Sequence, residues 1–384
     1  MLSRSVRDAV RHDLLRHGAS PALADPALRT RIAAAHRETE HAGYRPATRE
    51  IRALLRHGLA HAATCFQDLD PPLVRHLLGL PHTVTTDEFS HCAFTGKVKK
   101  FSPMMRPLGY EVVHYGVAGA DAGASLYCDV MTRAEQEELL GHRHAPTAFH
   151  GDSANISNPL YTEYNRRLAG LLEERVEPGD IVCHPFGHAH AHLPHRGIDI
   201  ETGIGYPDTH FPLRVFESYA WMHWHLGKYQ RGGSCYEWVI PNYFVAEDWP
   251  VSIGQGQYVL YFGRICDIKG LPTVVEIAKQ MPETKFVICG QGDPTPYLTS
   301  SNIEYKPPVH GSARAELLGG ATAVLMPTKY VEPFGGVSVE AMLTGTPVIA
   351  SPYGAFPEIV SQQLTGFLPR VLREWVRAIE LAPG

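Results

Sequence analysis

The sequence lacks the features that mark a membrane, exported or nucleic-acid-binding protein. None of its 384 residues falls in a run of about eighteen apolar residues, the length that a helix needs to cross a bilayer. The amino-terminal residues MLSRSVRDAVRHDLL have no apolar core of the kind that signal peptides carry. Lys and Arg total 35 against 40 Asp and Glu, which leaves no general basic footprint for nucleic acid. We therefore expect a cytoplasmic protein without a membrane span.

Cysteine is also sparse and scattered. The chain has seven cysteines, and no two of them form a C-x-x-C pair. An odd number of isolated cysteines argues against a disulfide framework and against a zinc module. With 44% hydrophobic and 20% charged residues, the composition is that of an ordinary folded protein. A chain of this length has room for two domains with full cores.

Histidine, by contrast, is concentrated in the segment CHPFGHAHAHLPH over residues 183–195. Residues two apart in an extended segment face the same side, so His188, His190 and His192 could approach one metal ion together. No carboxylate or cysteine of suitable spacing accompanies them in the sequence. We therefore predict that the chain has no metal site.

The most informative stretch runs from residue 321 to residue 358. The apolar run Ala321–Met326 predicts a buried parallel strand, which Pro327 ends. A helix is expected to begin near Gly335 and Gly336, which leave its first turn without side chains. The unpaired backbone N–H groups and the positive end of the helix dipole favour an anionic ligand, most naturally a phosphate.

Two glutamates flank this predicted helix start. Seven residues separate Glu332 from Glu340, so the first carboxylate lies on the loop before the helix and the second lies inside the helix. Both can line one groove with the phosphate site between them. The pattern predicts a ligand with hydroxyl groups at both ends and a diphosphate in the middle.

This stretch resembles the donor site of the retaining glycosyltransferases of family 4, which have the two-domain GT-B fold. The resemblance depends on the glutamate pair, the glycine pair between them and a run that reads E-A-M-x-x-G-x-P-V-I-A. The matching residues are Glu332, Gly335, Gly336, Glu340, Ala341, Met342, Gly345, Pro347, Val348, Ile349 and Ala350.

The resemblance implies transfer of a sugar from a nucleoside-diphosphate sugar to an acceptor, with retention at the anomeric carbon. Glu340 would bind the ribose hydroxyls, and Glu332 would meet the sugar hydroxyls as a catalytic residue. No cofactor, metal ion or protein nucleophile would be needed. The groups that would bind the diphosphate are Arg264, Lys269 and the backbone N–H groups near Gly335, Gly336 and Val337.

The resemblance also implies an α/β fold with two Rossmann-like domains facing across a cleft. Residues 80–245 would form the acceptor domain, and residues 246–384 would form the donor domain. Residues 1–79 are predicted to be an added helical segment, because no strand pattern interrupts their apolar stripes. This segment could pack on the acceptor domain or on a second subunit, which would give a homodimer.

Within the predicted acceptor domain, residues 80–86 read as the first strand. The loop after it carries Thr95, Gly96 and Lys97, and loops after parallel strands open onto the ligand crevice. These residues, and Gly96 in particular, are candidates to approach the sugar or the diphosphate of the donor. In the resembled family a histidine near a later strand end often lines the reaction centre. His184 and His188 are the candidates for that role, since they lie at and after the strand predicted over residues 180–187.

Other elements of this region are read from its apolar pattern and its turn residues. They are a helix over residues 98–109 broken at Pro103, a strand over 110–117, a helix over 161–175, a strand over 198–205, an aromatic-rich helix over 213–225 and a last strand over 239–244.

Two other functions remain open at this stage. A sugar phosphorylase could use the same fold with phosphate as the acceptor, and a binding protein could retain the donor pocket without turnover. For a transferase, the acceptor would be a small molecule or a glycan. The sequence does not specify the nucleobase, the sugar or the acceptor.

Overall fold

The computed structural model describes residues 74–89, 92–143, 155–190, 193–252 and 256–382. These residues form two β-sheets in which the strands pair in parallel, and helices flank both sheets. Apart from its last few residues, the helical segment predicted over residues 1–79 lies outside the described part of the chain. Within the described part, no helix combines the length and apolar character that crossing a membrane requires.

The first sheet has the strand order β3-β2-β1-β4-β5-β6-β7. The chain runs from β1 to the β3 edge and then returns past β1 to build the other edge, so the order reverses between β1 and β4. Ligands of such sheets bind outside the carboxyl ends of the strands near this reversal. The strands are β1 (Val74–Leu78), β2 (Glu111–Val117), β3 (Leu126–Met131), β4 (Ile181–His184), β5 (Ile198–Ile204), β6 (Leu213–Phe216) and β7 (Glu237–Val239).

Four α-helices connect these strands within the described residues. They are α1 (Ala93–Met105), α2 (Arg133–Leu140), α3 (Pro159–Arg175) and α4 (Tyr219–Lys228). The sequence marks several of their starts. Thr132 and Glu135 form a capping box at α2, while Asn158 caps α3 with Pro159 in its first turn.

The second sheet repeats the same plan with the order β10-β9-β8-β11-β12-β13. Its central strands are mostly apolar, as expected for parallel strands that are covered on both faces. The strands are β8 (Tyr258–Phe262), β9 (Phe286–Cys289), β10 (Ile303–Lys306), β11 (Ala321–Met326), β12 (Val348–Ala350) and β13 (Gly366–Phe367). The helices are α5 (Leu271–Gln280), α6 (Gly311–Gly319), α7 (Gly336–Leu343), α8 (Phe356–Ile359) and α9 (Leu372–Leu381).

The strand predicted over residues 80–86 is wrong. The first strand is β1, which lies inside the predicted helical segment, and residues 81–86 form turns and a short coil. The buried His76 interrupts the apolar pattern by which a buried strand is recognised in a sequence. Its ring nitrogens hydrogen-bond Tyr115 at 2.8 Å and Asp180 at 3.1 Å, which is why a polar side chain is tolerated there.

The loop predicted to carry Thr95, Gly96 and Lys97 is also wrong, because α1 begins at Ala93 and includes all three. Pro103 lies within α1 rather than breaking it. The helix continues past the proline, although the ring removes one backbone donor.

The region predicted as one helix over residues 213–225 contains β6, then a short break, and then α4. Ser218 ends the strand segment and begins the helix, because its Oγ accepts a hydrogen bond from the N–H of Trp221 at 3.1 Å. The strand predicted over 239–244 is wrong apart from Val239, which is the last residue of β7, because residues 240–244 are not in a strand. The helix predicted over 161–175 and the strand predicted over 110–117 are confirmed as α3 and β2.

Candidate active site

A cavity of about 1000 Å³ is lined by residues from both sheets. On the side of the second sheet, its wall is built from the segments that follow β8, β9 and β11, together with the first turn of α7. These are the carboxyl ends of parallel strands, where the loops converge on one side of a sheet. The cavity is the candidate active site.

The amino terminus of α7 forms one part of this wall. Gly335 precedes the helix with φ at +80°, and no side chain caps the helix at this end. A Cβ at Gly335 would lie 2.6 Å from the ring of the buried Phe356, so only glycine fits here. Gly336 and Val337 line the cavity in the first turn, which leaves the positive end of the helix dipole directed at a ligand.

Glu332 lies on the loop between β11 and α7 and is only 7% exposed. Its carboxylate accepts a 2.7 Å hydrogen bond from Lys269 and a 3.4 Å hydrogen bond from the Thr328 hydroxyl. Gly354 packs closely against the backbone of this loop, because a Cβ at this position would lie 2.6 Å from the backbone nitrogen of Glu332. The loop therefore holds this carboxylate in one place at the cavity wall.

Glu340 lies inside α7 and is 6% exposed. Its carboxylate is paired with the guanidinium of Arg314, which projects from α6. The same guanidinium lies 4.7 Å from the centroid of the Phe262 ring at the end of β8. A carboxylate that is paired with one guanidinium can still accept further hydrogen bonds from a ligand.

The remaining donor residues predicted from the sequence line the same cavity. Arg264 follows β8, and the Tyr261 hydroxyl fixes its backbone by donating a 2.6 Å hydrogen bond to the Arg264 carbonyl. Lys269 lies one short turn later, with its ammonium 4.8 Å from the centroid of the Tyr330 ring. The structure thus brings together the residues that were predicted in this half of the chain, which are Arg264, Lys269, Glu332, Gly335, Gly336, Val337 and Glu340.

Helix α1 supplies part of the opposite wall. Gly96 and Lys97 line the cavity, whereas Thr95 is fully buried and its hydroxyl hydrogen-bonds Thr83 at 2.6 Å. The Lys97 ammonium forms an ion pair with Glu217 and donates a 2.8 Å hydrogen bond to the carbonyl of Gly203. This pair is a buried polar feature of the wall that the sequence did not indicate.

His184 and His188 are not among the described residues that line the cavity. The His184 ring stacks on Phe211 with the centroids 4.0 Å apart, and its Nε2 lies 2.6 Å from Asp199. His188 hydrogen-bonds His210 at 3.0 Å. The catalytic role of either histidine stays a prediction, and its side-chain contacts lie away from the residues around α7.

One group of three side chains in the described residues, His184, His195 and Asp199, brings metal-ligand atoms within 4.8 Å of one another. The sequence reading missed Asp199 as a partner of these histidines. The Gly197 N–H donates to Nδ1 of His195 at 3.2 Å, so Nε2 must carry the proton and donate to Asp199 at 3.0 Å. This tautomer leaves His195 no lone pair for a cation and favours a hydrogen-bonded cluster. His192, the third histidine of the predicted group, lies outside the described residues.

Two direct contacts join the walls next to the site. The Ser218 hydroxyl donates a 2.6 Å hydrogen bond to the carbonyl of Pro333, which adjoins Glu332. The carboxylate of Glu358 accepts hydrogen bonds from the N–H groups of Tyr219 at 2.9 Å and Ala220 at 2.6 Å. A side chain from the half of the chain that forms the second sheet (the second half) therefore caps helix α4, which belongs to the half that forms the first sheet (the first half).

The sequence of the second sheet matches a known family. Residues 256–381 match the model of the glycosyl transferases group 1. The match spans Arg264, Lys269, Glu332 and Glu340, so the residues that line this wall of the cavity all lie within it. It covers about a third of the chain and does not include the first sheet.

Two curated relatives are similar over part of their length. An uncharacterized glycosyltransferase of Methanocaldococcus jannaschii is 30% identical over 141 residues, which cover 30% of this chain and 36% of the relative. The D-inositol 3-phosphate glycosyltransferase of Mycobacteroides abscessus is 30% identical over 138 residues, covering 32% of this chain and 31% of the relative. The chain thus spans about a third of the length of these relatives.

Solved structures are similar over most of the described chain. AviGT4, a glycosyltransferase involved in avilamycin A biosynthesis, has a TM-score of 0.57 at 19% identity, covering 80% of this chain and 88% of that one. Sucrose-phosphate synthase from Thermosynechococcus elongatus has a TM-score of 0.59 at 14% identity, covering 80% and 89%. Two parallel-sheet α/β halves that superpose on these structures have the GT-B fold.

Several residues of the site could not be found from the sequence. Arg314, Glu217 and Ser218 reach the cavity or its border only because distant elements pack together. Arg314 precedes Glu340 by 26 residues, and its helix has an ordinary charged pattern. The Glu358 carboxylate resembles any exposed acid in the sequence until its contact with α4 is seen.

Proposed function

We propose that the protein is a glycosyltransferase that uses a nucleoside-diphosphate sugar as its donor. One observation carries the proposal: two buried carboxylates, Glu332 and Glu340, each paired with a cation, flank the open amino terminus of α7 in one cavity. Hydroxyl groups require acceptors at fixed positions, and a diphosphate requires cations and N–H donors between them. The matched family model covers all of these residues.

Each part of the donor is assigned to one part of the wall. The diphosphate binds at the N–H groups of α7, with Arg264 and Lys269 beside it. The ribose hydroxyls donate hydrogen bonds to the carboxylate of Glu340, and the ion pair with Arg314 positions this carboxylate. The sugar hydroxyls donate to Glu332, which Lys269 orients.

The cations serve the chemistry as well as the binding. When the bond between the sugar and the diphosphate breaks, the leaving phosphate gains negative charge, and fixed positive groups stabilise that charge in the transition state. The positive end of α7 and the two basic side chains act in place of a divalent metal ion. We therefore propose a metal-independent reaction.

The proposed reaction retains the anomeric configuration. The leaving phosphate takes the proton of the acceptor hydroxyl on the face where the new bond forms, so no side chain has to attack the sugar. Burial of Glu332 and Glu340 in a cavity between two walls excludes water, which limits hydrolysis of the donor.

Uridine nucleotides are the first donors to test. HepE of Anabaena, solved in complex with UDP and glucose, has a TM-score of 0.54 to this chain at 14% identity and covers 81% of it. A structure of TarM from S. aureus, solved with UDP and an α-GlcNAc-glycerol ligand, has a TM-score of 0.56 at 12% identity. Because this likeness concerns the fold, the uridine specificity and a glycan acceptor are part of the proposal.

The test is release of nucleoside diphosphate from nucleotide sugars by the wild type and by Glu332→Gln, with and without inorganic phosphate. Release by the wild type that Glu332→Gln lacks, together with an α-linked product from an α-linked donor by NMR, supports the proposal. A sugar phosphate formed only when phosphate is present would identify a phosphorylase instead. Binding of the donor without turnover, over a panel of glycan and small-molecule acceptors, would identify a binding protein.

A further inference from the structure

Lys100 on α1 is a cavity-lining cation that the donor assignment leaves unused. Its neighbours on the helix are engaged, since Lys97 pairs with Glu217 and Lys99 pairs with Asp87 at 2.5 Å. Among the ion pairs and hydrogen bonds of the described residues, none involves the Lys100 ammonium. This ammonium nevertheless lines the same cavity as the first turn of α7.

Aromatic contacts place Lys100 near the diphosphate position. Its Nζ lies 3.8 Å from the centroid of the Phe244 ring, which stacks with Phe334 at a centroid separation of 6.2 Å. A Cβ at Gly336 would lie 3.5 Å from the Phe244 ring, so this ring lies beside the first turn of α7. Phe244 thus holds the lysine of the first half above the helix terminus of the second half.

The charges around Lys100 belong mostly to the opposite wall. Burial lowers the pKa of the Lys100 ammonium below its ordinary value, while Glu340 and Asp248 favour its charged form and Arg314 disfavours it. Glu340 already forms an ion pair with Arg314, so the Lys100 ammonium has no anion of its own among the described ion pairs. A dianionic ligand in the cavity would supply that anion.

We propose that Lys100 binds the diphosphate of the donor from the side of the first sheet. The proposal rests on the function proposed above and adds a fourth positive group to Arg264, Lys269 and the amino terminus of α7. It makes the diphosphate a bridge between the two walls of the cavity. The donor site is then complete only when α1 and α7 face each other as they do in this structure.

The test compares Lys100→Gln with the matched control Lys99→Gln, which removes a neighbouring charge that points to Asp87. Calorimetric titration measures the dissociation constants of a nucleoside diphosphate and of the nucleoside with the same base. Lys100→Gln should weaken the diphosphate by about tenfold or more and leave the nucleoside unchanged, which is the loss expected for one charge-assisted contact. Lys99→Gln should change neither constant, and Lys100→Arg should restore most of the diphosphate affinity.

Three outcomes overturn the inference. Unchanged diphosphate affinity in Lys100→Gln would show that the ammonium does not reach the ligand. An equal loss for diphosphate and nucleoside, with no rescue by Lys100→Arg, would show that Lys100 only supports the local packing. If the wild type binds none of the uridine, guanosine, adenosine and thymidine diphosphates, the proposed function fails and this inference fails with it.

Discussion

Lys269, in the segment after β8, donates a 2.7 Å hydrogen bond to Glu332, on the loop after β11. The pair brings the cation that we assign to the diphosphate into contact with the carboxylate that we assign to the sugar. Because each partner is mostly buried, the contact fixes both side chains rather than leaving them to solvent. This arrangement suits the proposed donor, whose charged and hydroxyl-bearing parts are adjacent.

The two glutamates should separate catalysis from nucleotide binding. Glu332→Gln should lower the transfer rate by about a hundredfold while changing the nucleoside diphosphate affinity little, because the sugar is absent from that ligand. Glu340→Gln should weaken nucleoside diphosphate binding by about tenfold, because it removes the ribose acceptor. Steady-state rates and calorimetry on both variants measure the effects. The reverse order would contradict the assignment of the two carboxylates.

Gly335 should be intolerant of any side chain. Gly335→Ala should lower the unfolding free energy by about 1–3 kcal/mol, because alanine strains the backbone at φ +80° and its Cβ meets the Phe356 ring. Urea unfolding measures the change. As a control, Gly170→Ala lies in α3, where no heavy atom lies within 4 Å of the added Cβ. It should stabilise the protein by about 0.5–1 kcal/mol, and an equal loss in both variants would refute the conformational argument.

The cap that Glu358 places on α4 should contribute to stability. Glu358→Ala should lower the unfolding free energy by about 1 kcal/mol, since two helix N–H groups lose their acceptor. Thermal unfolding against Glu276→Ala provides the comparison, because the exposed pair of Glu276 with Lys279 contributes little. An equal loss of stability in the two variants would mean that water replaces the Glu358 carboxylate at α4 without destabilising the protein.

Stability should fall with acidity in the range where buried histidines become charged in the unfolded chain. Burial lowers the pKa of His114 to about 4 and that of His190 to about 3, so both are neutral in the folded state at pH 5. The unfolded chain then binds more protons, and each group removes about 1.4 kcal/mol per pH unit below about pH 6.5. Unfolding free energies measured from pH 7 to pH 5 should decrease as the pH falls below about 6.5.

The variant His190→Gln tests the source of this slope. Whatever its effect at pH 8, this substitution should reduce the dependence of the unfolding free energy on pH between 6.5 and 5. It removes one of the histidines whose pKa is lowered in the folded state. An unchanged slope would assign the acid sensitivity to other groups.

The second half of the molecule could be predicted from the sequence, because local residue patterns mark the start and end of its strands and helices. Ala321–Met326 is apolar apart from Thr322 and has the bounds of β11, and Gly335 marks the start of α7. The donor residues lie on loops at strand ends, so their order along the chain fixes which edge of the sheet they share. The convergence of Arg264, Lys269 and Glu332 in one cavity follows from topology alone.

The first half was harder because tertiary contacts override its local pattern. In β1, His76 is buried by partners that are distant in sequence, and in β3 the exposed Leu126 and Tyr127 obscure an inward face. Helix α1 begins without a side-chain cap and runs through Pro103. The position of Lys100 above α7 depends on how the two sheets face each other, which no local pattern specifies.

The most direct test of the donor site is thermal unfolding in the presence of uridine, guanosine, adenosine and thymidine diphosphates. The wild type and Glu340→Gln are compared under the same conditions. A ligand at a hundred times its dissociation constant stabilises the folded state by about 2.7 kcal/mol, which raises the unfolding temperature measurably. The account predicts that one base raises it in the wild type and that Glu340→Gln loses most of this shift. No shift with any of the four nucleotides, or the same shift in both proteins, would contradict a nucleotide site at Glu340.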